Sequence, residues 1–315
     1  MFTSRVLVTG LLATIIAGCH RPMSGEDHSS HNVLPAGAPA KPGSALLPAS
    51  NGGAAARLAA SPRRGEWIKI PFDAGSKDTI MAWVVRPANA RAKAPVVVVV
   101  HDINGLSAWA RGVADQAAAE GFIAVTPDFA SRARGAPSSV ELPRDSANKV
   151  VGTLPSAERN HIITVVANHL MSEPTAEHRY AVIGYCWGGG TVFMHAVNGG
   201  AQGFSGGVAF YGLPYMNGAV PNADSLKKIN VPVMLFNGSK DARIGAAMPA
   251  VDSTMKALGK NYVGTNYDGA THGFMRSQDD PKATRDLAEE AANVAATKDA
   301  WPRTIAFLKQ KLGVR

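Results

Sequence analysis

The chain has 315 residues, of which 46% are hydrophobic and 18% are charged. This balance is typical of a globular protein, and the length is sufficient for one large α/β domain with a full core. The 32 basic and 24 acidic residues give a formal net charge of +8, and the positive charges are spread along the chain. Because no basic stripe is interleaved with aromatic residues, we expect no nucleic-acid partner.

The first 19 residues resemble a bacterial export signal. Arg5 is the lone early charge, residues 6–17 are apolar, and the segment closes on the letters IAGC, which end at Cys19. The apolar run is shorter than the stretch that a transmembrane helix needs to span the bilayer. Its ending resembles a lipobox, so we expect lipid attachment at Cys19 and a protein exported to the periplasmic side of the cell envelope, anchored to a membrane. A plain signal peptide with an accidental cysteine is the alternative.

Behind this signal, residues 20–62 are rich in Gly, Ala, Pro and Ser and predict a disordered tether. The folded body, residues 63–315, alternates strand and helix signals, which predicts βαβ units in a mostly parallel sheet. Strands are predicted at 67–72, 80–86, 96–100, 122–126, 181–183, 207–211, 231–237 and 262–267, the first two as an antiparallel pair. Helices are predicted at 108–120, 157–171, directly after Cys186 and at 298–311, and residues 131–155 are expected to form a long loop with short helices.

The letters GYCWG at Gly184 to Gly188 join a predicted strand directly to a predicted helix. This is the nucleophile-elbow pattern, G-x-nucleophile-x-G, with Cys186 where serine is commoner. The two glycines leave room for the sharp turn, and the N–H of Trp187 would lie at a helix N-terminus, where negative charge is stabilised. A buried, inert cysteine in a glycine-rich turn is the alternative. The chain has two cysteines, so Cys186 has no disulfide partner if Cys19 is lipidated.

An acid and then a histidine should follow a nucleophile elbow in that chain order. Asp241 ends the letters GSKD after the predicted strand 231–237, and His272 lies in GATHGF after the predicted strand 262–267. Ligands bind at these carboxyl ends of strands in open α/β sheets. We therefore predict that Cys186 is the nucleophile, that His272 accepts its proton and later activates water, and that Asp241 orients the imidazole.

With GYCWGG, GSKD and THGF, the chain resembles the dienelactone hydrolase family of α/β-hydrolases over residues 66–312. The resemblance implies the α/β-hydrolase fold, with a mostly parallel central sheet of about eight strands flanked by helices. It also implies Cys186, Asp241 and His272 as the catalytic triad. The implied activity is hydrolysis of an enol-lactone or similar small ester through a thiol acyl-enzyme, as by carboxymethylenebutenolidase.

The same resemblance implies further site residues. Asp102 stands where the family has a glutamate near the resting thiol, and being one methylene shorter it reaches less far. The N–H of Ile103 would join that of Trp187 in the oxyanion hole. Arg276 and Arg144 match two arginines that hold a substrate carboxylate, which implies an anionic substrate. The alternatives are an aspartate that bonds nearby backbone at a strand end and two solvated arginines.

The remaining motifs indicate little. His101 either lines the pocket or packs beside it. No phosphate loop, dinucleotide fingerprint or zinc-ligand spacing occurs, so neither a cofactor nor a metal is expected. The first hypothesis is a cell-envelope hydrolase, expected to be a monomer, whose true substrate the sequence does not determine. The alternatives are a hydrolase-fold binding protein for small carboxylates that has lost turnover and a redox-sensing thiol.

Overall fold

Strands and helices alternate along the body as the sequence predicts. The structure is a computed structural model that describes residues 47–88, 93–138, 144–276 and 287–314, with Arg144 and Asp145 described by their main chain only. The strands are β1 (Glu66–Pro71), β2 (Thr79–Val85), β3 (Ala94–Val100), β4 (Ile123–Pro127), β5 (Ala176–Tyr185), β6 (Phe204–Phe210), β7 (Met216–Asn217), β8 (Val220–Pro221), β9 (Val233–Gly238) and β10 (Tyr262–Tyr267). The helices are α1 (Ala54–Ala59), α2 (Ala108–Ala119), α3 (Ser131–Arg134), α4 (Arg144–Thr153), α5 (Ser156–Met171), α6 (Trp187–Val197), α7 (Ala223–Leu226), α8 (Ala242–Ala257) and α9 (Leu287–Leu312), with a 3-10 turn at Phe274–Arg276.

One central sheet contains eight of the strands found in the described ranges. Their order is β1-β2-β4-β3-β5-β6-β9-β10, while β7 and β8 form a separate small hairpin. The pairs β1–β2 and β2–β4 are antiparallel, and the remaining pairs in the sheet are parallel. The predicted fold class, a mostly parallel sheet flanked by helices, is confirmed. Its predicted opening antiparallel pair is confirmed as well.

Both faces of the sheet are covered by helices, as the valine run of β3 predicts. Every residue of β3 is buried, which is expected for a parallel strand between two helix layers. Val97 and Val99 pack into the layer that contains α2 and α9, whereas Val96 and Val98 pack into the layer of α5, α6 and α8. The side chains alternate because the strand period is two.

Several elements were not predicted from the sequence. They are α1, α7, α8 and the β7–β8 hairpin, and within the predicted loop 131–155 the structure has the ten-residue helix α4. Ala147 and Val151 of α4 are buried four residues apart, so this helix has one apolar face. No helix in the described part of the chain is long and apolar enough to cross a membrane.

The end of the predicted tether packs on the domain. Within residues 47–62, called here the N-terminal segment, Leu47 and Ala54 are buried and α1 packs against α2. Trp109 donates its indole N–H to the carbonyl of Ala49 at 3.0 Å, and Arg57 donates to the side chain of Gln116 at 2.8 Å. The prediction of a disordered tether over 20–62 is therefore wrong for this part, while residues 20–46 lie outside the described ranges. The sequence does not predict an ordered segment here, because its side chains are mostly small and show no periodicity. The order of the segment comes from its contacts with α2.

Removing the N-terminal segment is expected to destabilise the domain. A chain that begins at Gly65 should lose about 2–4 kcal/mol of unfolding free energy relative to one that begins at residue 45. The loss comes from the exposed surface beneath Leu47 and from the indole N–H of Trp109, which would lack its acceptor. Urea unfolding of the two chains measures the difference, and equal midpoints would contradict this account.

Candidate active site

Cys186 occupies a strained turn between β5 and α6. Its φ of 56° and ψ of −116° lie in a region that a residue with a side chain rarely adopts, and such strain clusters at functional sites. A Cβ on Gly184 would overlap the carbonyl oxygen of Gly188, and a Cβ on Gly188 would lie 2.5 Å from the carbonyl oxygens of Val100 and His101. The turn therefore requires both glycines, as the elbow pattern predicts.

An alanine in the elbow is expected to be poorly tolerated. Gly188→Ala should cost about 3 kcal/mol of unfolding free energy, because the new methyl group meets backbone atoms that cannot move away. The matched control is Gly112→Ala in α2, where a Cβ meets only the Ala54 methyl group at 3.9 Å. That control should be neutral or slightly stabilising, since alanine favours helix interiors. Thermal or urea unfolding compares the two, and equal stability would contradict the prediction.

Asp241 and His272 meet at the carboxyl ends of β9 and β10. Asp241 is the N-cap of α8: one carboxylate oxygen accepts the N–H of Ile244 at 3.2 Å, and the other pairs with Nδ1 of His272. The cap fixes the carboxylate, and the carboxylate fixes the imidazole. Burial lowers the pKa of His272, but hydrogen bonds with Asp241 and Cys186 outweigh it and raise the pKa to about 9. The structure thus brings together the three residues predicted from the elbow order.

Tyr211 belongs to the same cluster and was not predicted. It follows β6 directly, its φ is 38°, and its ring centroid lies 4.9 Å from that of His272. Burial and the neighbouring Tyr185 and Cys186 hold the pKa of its phenol well above the ordinary value, so it stays neutral. Its hydroxyl is buried without a hydrogen-bond partner in the described chain. The one signal in the sequence is its position at a strand end before Gly212.

The two predicted oxyanion donors lie just beyond the carboxyl ends of two neighbouring strands, β3 and β5. Trp187 begins α6 directly after Cys186, and Ile103 follows β3, which pairs with β5 through Val100 and Gly184. The start of α6 contacts the end of β3, because a Cβ on Gly188 would meet the carbonyl of His101. Neither main-chain N–H, of Ile103 or of Trp187, donates to another residue that the structure describes. Both donors are consequently available to a ligand.

Asp102 and Arg276 form a buried ion pair. One carboxylate oxygen of Asp102 pairs with the Arg276 guanidinium, and the other accepts the N–H of Asn104 at 2.6 Å. The guanidinium also lies 4.7 Å from the ring of Trp109, and the main-chain carbonyl of Arg276 accepts the N–H of Asn51 from the N-terminal segment. Burial lowers the pKa of Arg276 to about 10, so it is charged at neutral pH. Asp102 therefore has partners other than the thiol, and thiol control by Asp102 stays a prediction.

His101 packs beside the site as a structural residue. Its Nδ1 donates to the carbonyl of Asp102 at 2.6 Å, and its Nε2 accepts the N–H of Phe129 at 3.1 Å. Burial lowers its pKa to about 4, so the ring is neutral. It stacks on Trp187, with ring centroids 6.2 Å apart. Its role is to support the residue that follows the nucleophile.

Two predicted residues cannot be placed in this site. Arg144 begins α4, but its side chain lies outside the described part of the structure. The whole of Cys19 lies outside it too. Their predicted roles stay predictions.

Known proteins resemble the chain over this whole body. Residues 80–312 match the family model of the dienelactone hydrolase family. The chain belongs to this family. An Escherichia coli (strain K12) protein named carboxymethylenebutenolidase is 23% identical over 266 residues, which cover 80% of this chain and 93% of that protein. A Bradyrhizobium protein named 2-oxo-3-(5-oxofuran-2-ylidene)propanoate lactonase is 26% identical over 257 residues, covering 78% of this chain and 94% of its own length.

Solved structures show the fold that goes with this family. A Klebsiella pneumoniae structure named dienelactone hydrolase has a TM-score of 0.64 at 24% identity, covering 79% of this chain and 99% of its own. Pyrococcus horikoshii acylaminoacyl peptidase has a TM-score of 0.56 at 16% identity, covering 80% of this chain and 42% of its own. The chain has the α/β-hydrolase fold. At family level it is a dienelactone-hydrolase-like hydrolase that acts on ester bonds.

The described ranges contain no group of three or more His, Cys, Asp or Glu side chains placed to hold a metal ion.

Proposed function

We propose that this protein hydrolyses a lactone or small ester by covalent catalysis through Cys186, His272 and Asp241. The observation that carries the proposal is the continuous contact from Asp241 through His272 to Cys186, which is held in a strained elbow. A nucleophile, a base and a group that orients the base are the three parts that acyl transfer needs.

The first half of the reaction forms a thioester. Asp241 occupies Nδ1 of His272, so the other ring nitrogen, Nε2, takes the proton of the Cys186 thiol. The thiolate attacks the carbonyl carbon, and the negative charge on the carbonyl oxygen is stabilised by the N–H groups of Ile103 and Trp187. The ester C–O bond then breaks, and His272 returns the proton to the departing oxygen. With a lactone, the product of this step is a ring-opened acyl-enzyme.

The second half releases the acid. His272 removes a proton from water, the resulting hydroxide attacks the thioester carbonyl, and the C–S bond breaks to return the Cys186 thiolate. A pKa of about 9 makes the His272 imidazole a strong proton acceptor. The proton that it takes from water then passes to the Cys186 sulfur, which closes the cycle.

We further propose that the substrate carries a carboxylate. A related lactonase of Bradyrhizobium is named for a propanoate substrate. Arg276 supports the idea, because its Nε is buried and has no hydrogen-bond partner in the described chain. The Asp102 carboxylate that pairs with the guanidinium fixes its position and offsets part of its charge. One carboxylate on a small lactone suits such a half-neutralised donor better than a multiply charged substrate.

Loss of Arg276 is expected to affect anionic substrates selectively. Arg276→Gln should raise KM for an enol-lactone carboxylate by about 10- to 100-fold and leave KM for a neutral short-chain ester within about threefold, because only the former loses a charge-assisted hydrogen bond. The double variant Asp102→Asn with Arg276→Gln avoids a buried unpaired carboxylate and should show the same selectivity. Steady-state kinetics on both substrates measure it. An equal rise in both KM values would contradict the assignment.

The function itself is tested by product formation and by trapping the intermediate. The full chain is incubated with a dienelactone and with neutral lactones and short esters, and rapidly quenched samples are analysed by intact-protein mass spectrometry. We expect turnover of at least one of these substrates and an acyl adduct that maps to Cys186. A ligand that raises the unfolding temperature while none of the substrates is consumed would instead favour the carboxylate-binding alternative.

We propose from the sequence that the protein is exported and anchored to a membrane through lipid on Cys19, and that its body is a monomer. The support is the apolar run with its lipobox-like ending. Fatty-acid labelling that disappears in Cys19→Ala, together with release of that variant from the membrane fraction, tests the anchor. Labelling that persists would contradict it, and light scattering of the solubilised chain tests the monomer.

A further inference from the structure

A cavity of about 510 Å³ opens between α1, β2 and α2. Its lining combines small and apolar residues with charged ones. The apolar residues are Ala55, Leu58, Ala59, Val85 and Ala108, and the charged ones are Arg63, Arg64, Arg111 and Asp115. In the sheet order, β2 is separated from β5 by β4 and β3, which places it about 14 Å from the strand that carries the elbow. None of these lining residues belongs to the Cys186 site.

Arg111 is a half-buried cation without an anionic partner in the described chain. Its guanidinium lies 5.1 Å from the ring of Trp83 and 5.9 Å from that of Trp67. Its Nε is buried and has no hydrogen-bond partner among the described residues. Burial lowers the pKa of Arg111 from its ordinary value, but an arginine in a protein stays charged. A desolvated cation is unfavourable unless an anion is near it.

Asp115, the acid that lines the cavity, does not pair with Arg111, because other groups already bind its carboxylate. Asp115 accepts hydrogen bonds from Nε and Nη2 of Arg63 at 3.1 and 2.9 Å and from the hydroxyl of Ser61 at 2.6 Å. The charges of Arg63 and Asp115 therefore offset each other, which leaves those of Arg64 and Arg111 on the lining. The indole N–H of Trp83, on the same wall, is also buried without an acceptor in the described chain.

We infer that this cavity binds an amphipathic anion, with its carboxylate or phosphate group on Arg111 and a short apolar chain against α1. Contacts with the rings of two tryptophans hold the guanidinium in place. Its terminal N–H groups form the planar fork that recognises carboxylate and phosphate. A medium-chain carboxylate and the headgroup of an anionic phospholipid share this chemistry. The site depends on the N-terminal segment, because α1 supplies the apolar wall.

Binding is tested on the full chain with octanoate as the probe and 1-octanol as its uncharged match. Octanoate should bind saturably by calorimetry and raise the unfolding temperature, whereas 1-octanol should do neither. Arg111→Gln should weaken octanoate binding by about tenfold or more, because a charge-assisted hydrogen bond is lost. Arg111→Lys, which keeps the charge without the planar fork, should restore part of it. The control is Arg179→Gln, an exposed arginine on β5 that pairs with Glu177 and should have no effect.

A second arm distinguishes the two sources of the anion. Sedimentation with phosphatidylglycerol vesicles is compared with sedimentation with phosphatidylcholine vesicles. If a lipid headgroup occupies the cavity, sedimentation with phosphatidylglycerol should depend on Arg111. If a free carboxylate occupies it, only octanoate binding should depend on Arg111. Arg64 is exposed, so Arg64→Gln should leave folding unchanged and weaken the same binding by a smaller factor. Binding of both probes that is unchanged in Arg111→Gln, no saturable binding of either, or equal binding of 1-octanol would overturn the inference.

Discussion

Replacing Cys186 by alanine is expected to lower kcat by at least about 10⁴-fold on any ester that the protein hydrolyses. The proposed reaction passes through a bond to the thiol sulfur, and the residual rate would come from the oxyanion donors and substrate binding alone. The fold should persist, because removing one sulfur from a site that is 9% exposed leaves the surrounding backbone contacts of the elbow intact. Steady-state kinetics with each substrate, next to an unfolding curve for each protein, measure both quantities.

One further variant and one chemical modification sharpen this test. Cys186→Ser keeps a nucleophile of similar shape, but its hydroxyl needs far more help from the base than a thiol, so it should retain only a small fraction of the rate. Alkylation of the wild-type protein by iodoacetamide should remove activity in proportion to the carboxamidomethyl group found on Cys186. Alkylation that is complete on Cys186 while activity is undiminished would refute covalent catalysis by this residue.

Asp241→Asn is expected to lower kcat by about 10³- to 10⁴-fold while leaving the helix cap in place. Asparagine is as good an N-cap as aspartate, so the hydrogen bond from Ile244 to the side-chain oxygen can be kept. The amide cannot stabilise an imidazolium, so the pKa of His272 should fall from about 9 towards its ordinary value of 6.5. NMR titration of the His272 ring follows the pKa, and a rate close to that of the wild type would contradict the role of Asp241.

The same substitution should change how stability depends on pH. The pKa of His272 in the folded protein lies above its value in the unfolded chain, so the protonated ring stabilises the fold fully below about pH 6.5 and this stabilisation is lost as the pH rises to 9. The difference in unfolding free energy between the wild type and Asp241→Asn should be largest near pH 6, at most about 3 kcal/mol, and shrink towards pH 9. Asp241→Ala, which also loses the cap, should cost about 1 kcal/mol more at every pH. Parallel pH profiles of the wild type and Asp241→Asn would contradict this interpretation.

The N-terminal segment changes where the protein should be shortened for such measurements. The tether prediction suggests a body that begins near residue 66, but the segment 47–62 supplies the acceptor for Trp109 and binds the main chain of Arg276. Both residues lie next to each other at the candidate active site. Residues 47–62 precede the region 80–312 that matches the family model. A body that begins at residue 45 keeps these contacts.

The sequence by itself determined the fold class, the elbow and the order of nucleophile, acid and histidine. These features depend on short stretches of sequence. The valine run of β3 requires burial on both faces, and Gly184 and Gly188 occupy positions where a side chain would meet backbone. Only the tertiary structure decided that Asp102 pairs with Arg276, that Tyr211 contacts His272, and that the N-terminal segment packs on α2. Each of these contacts joins residues far apart in the chain, and their energy depends on burial and on the partner that folding brings near.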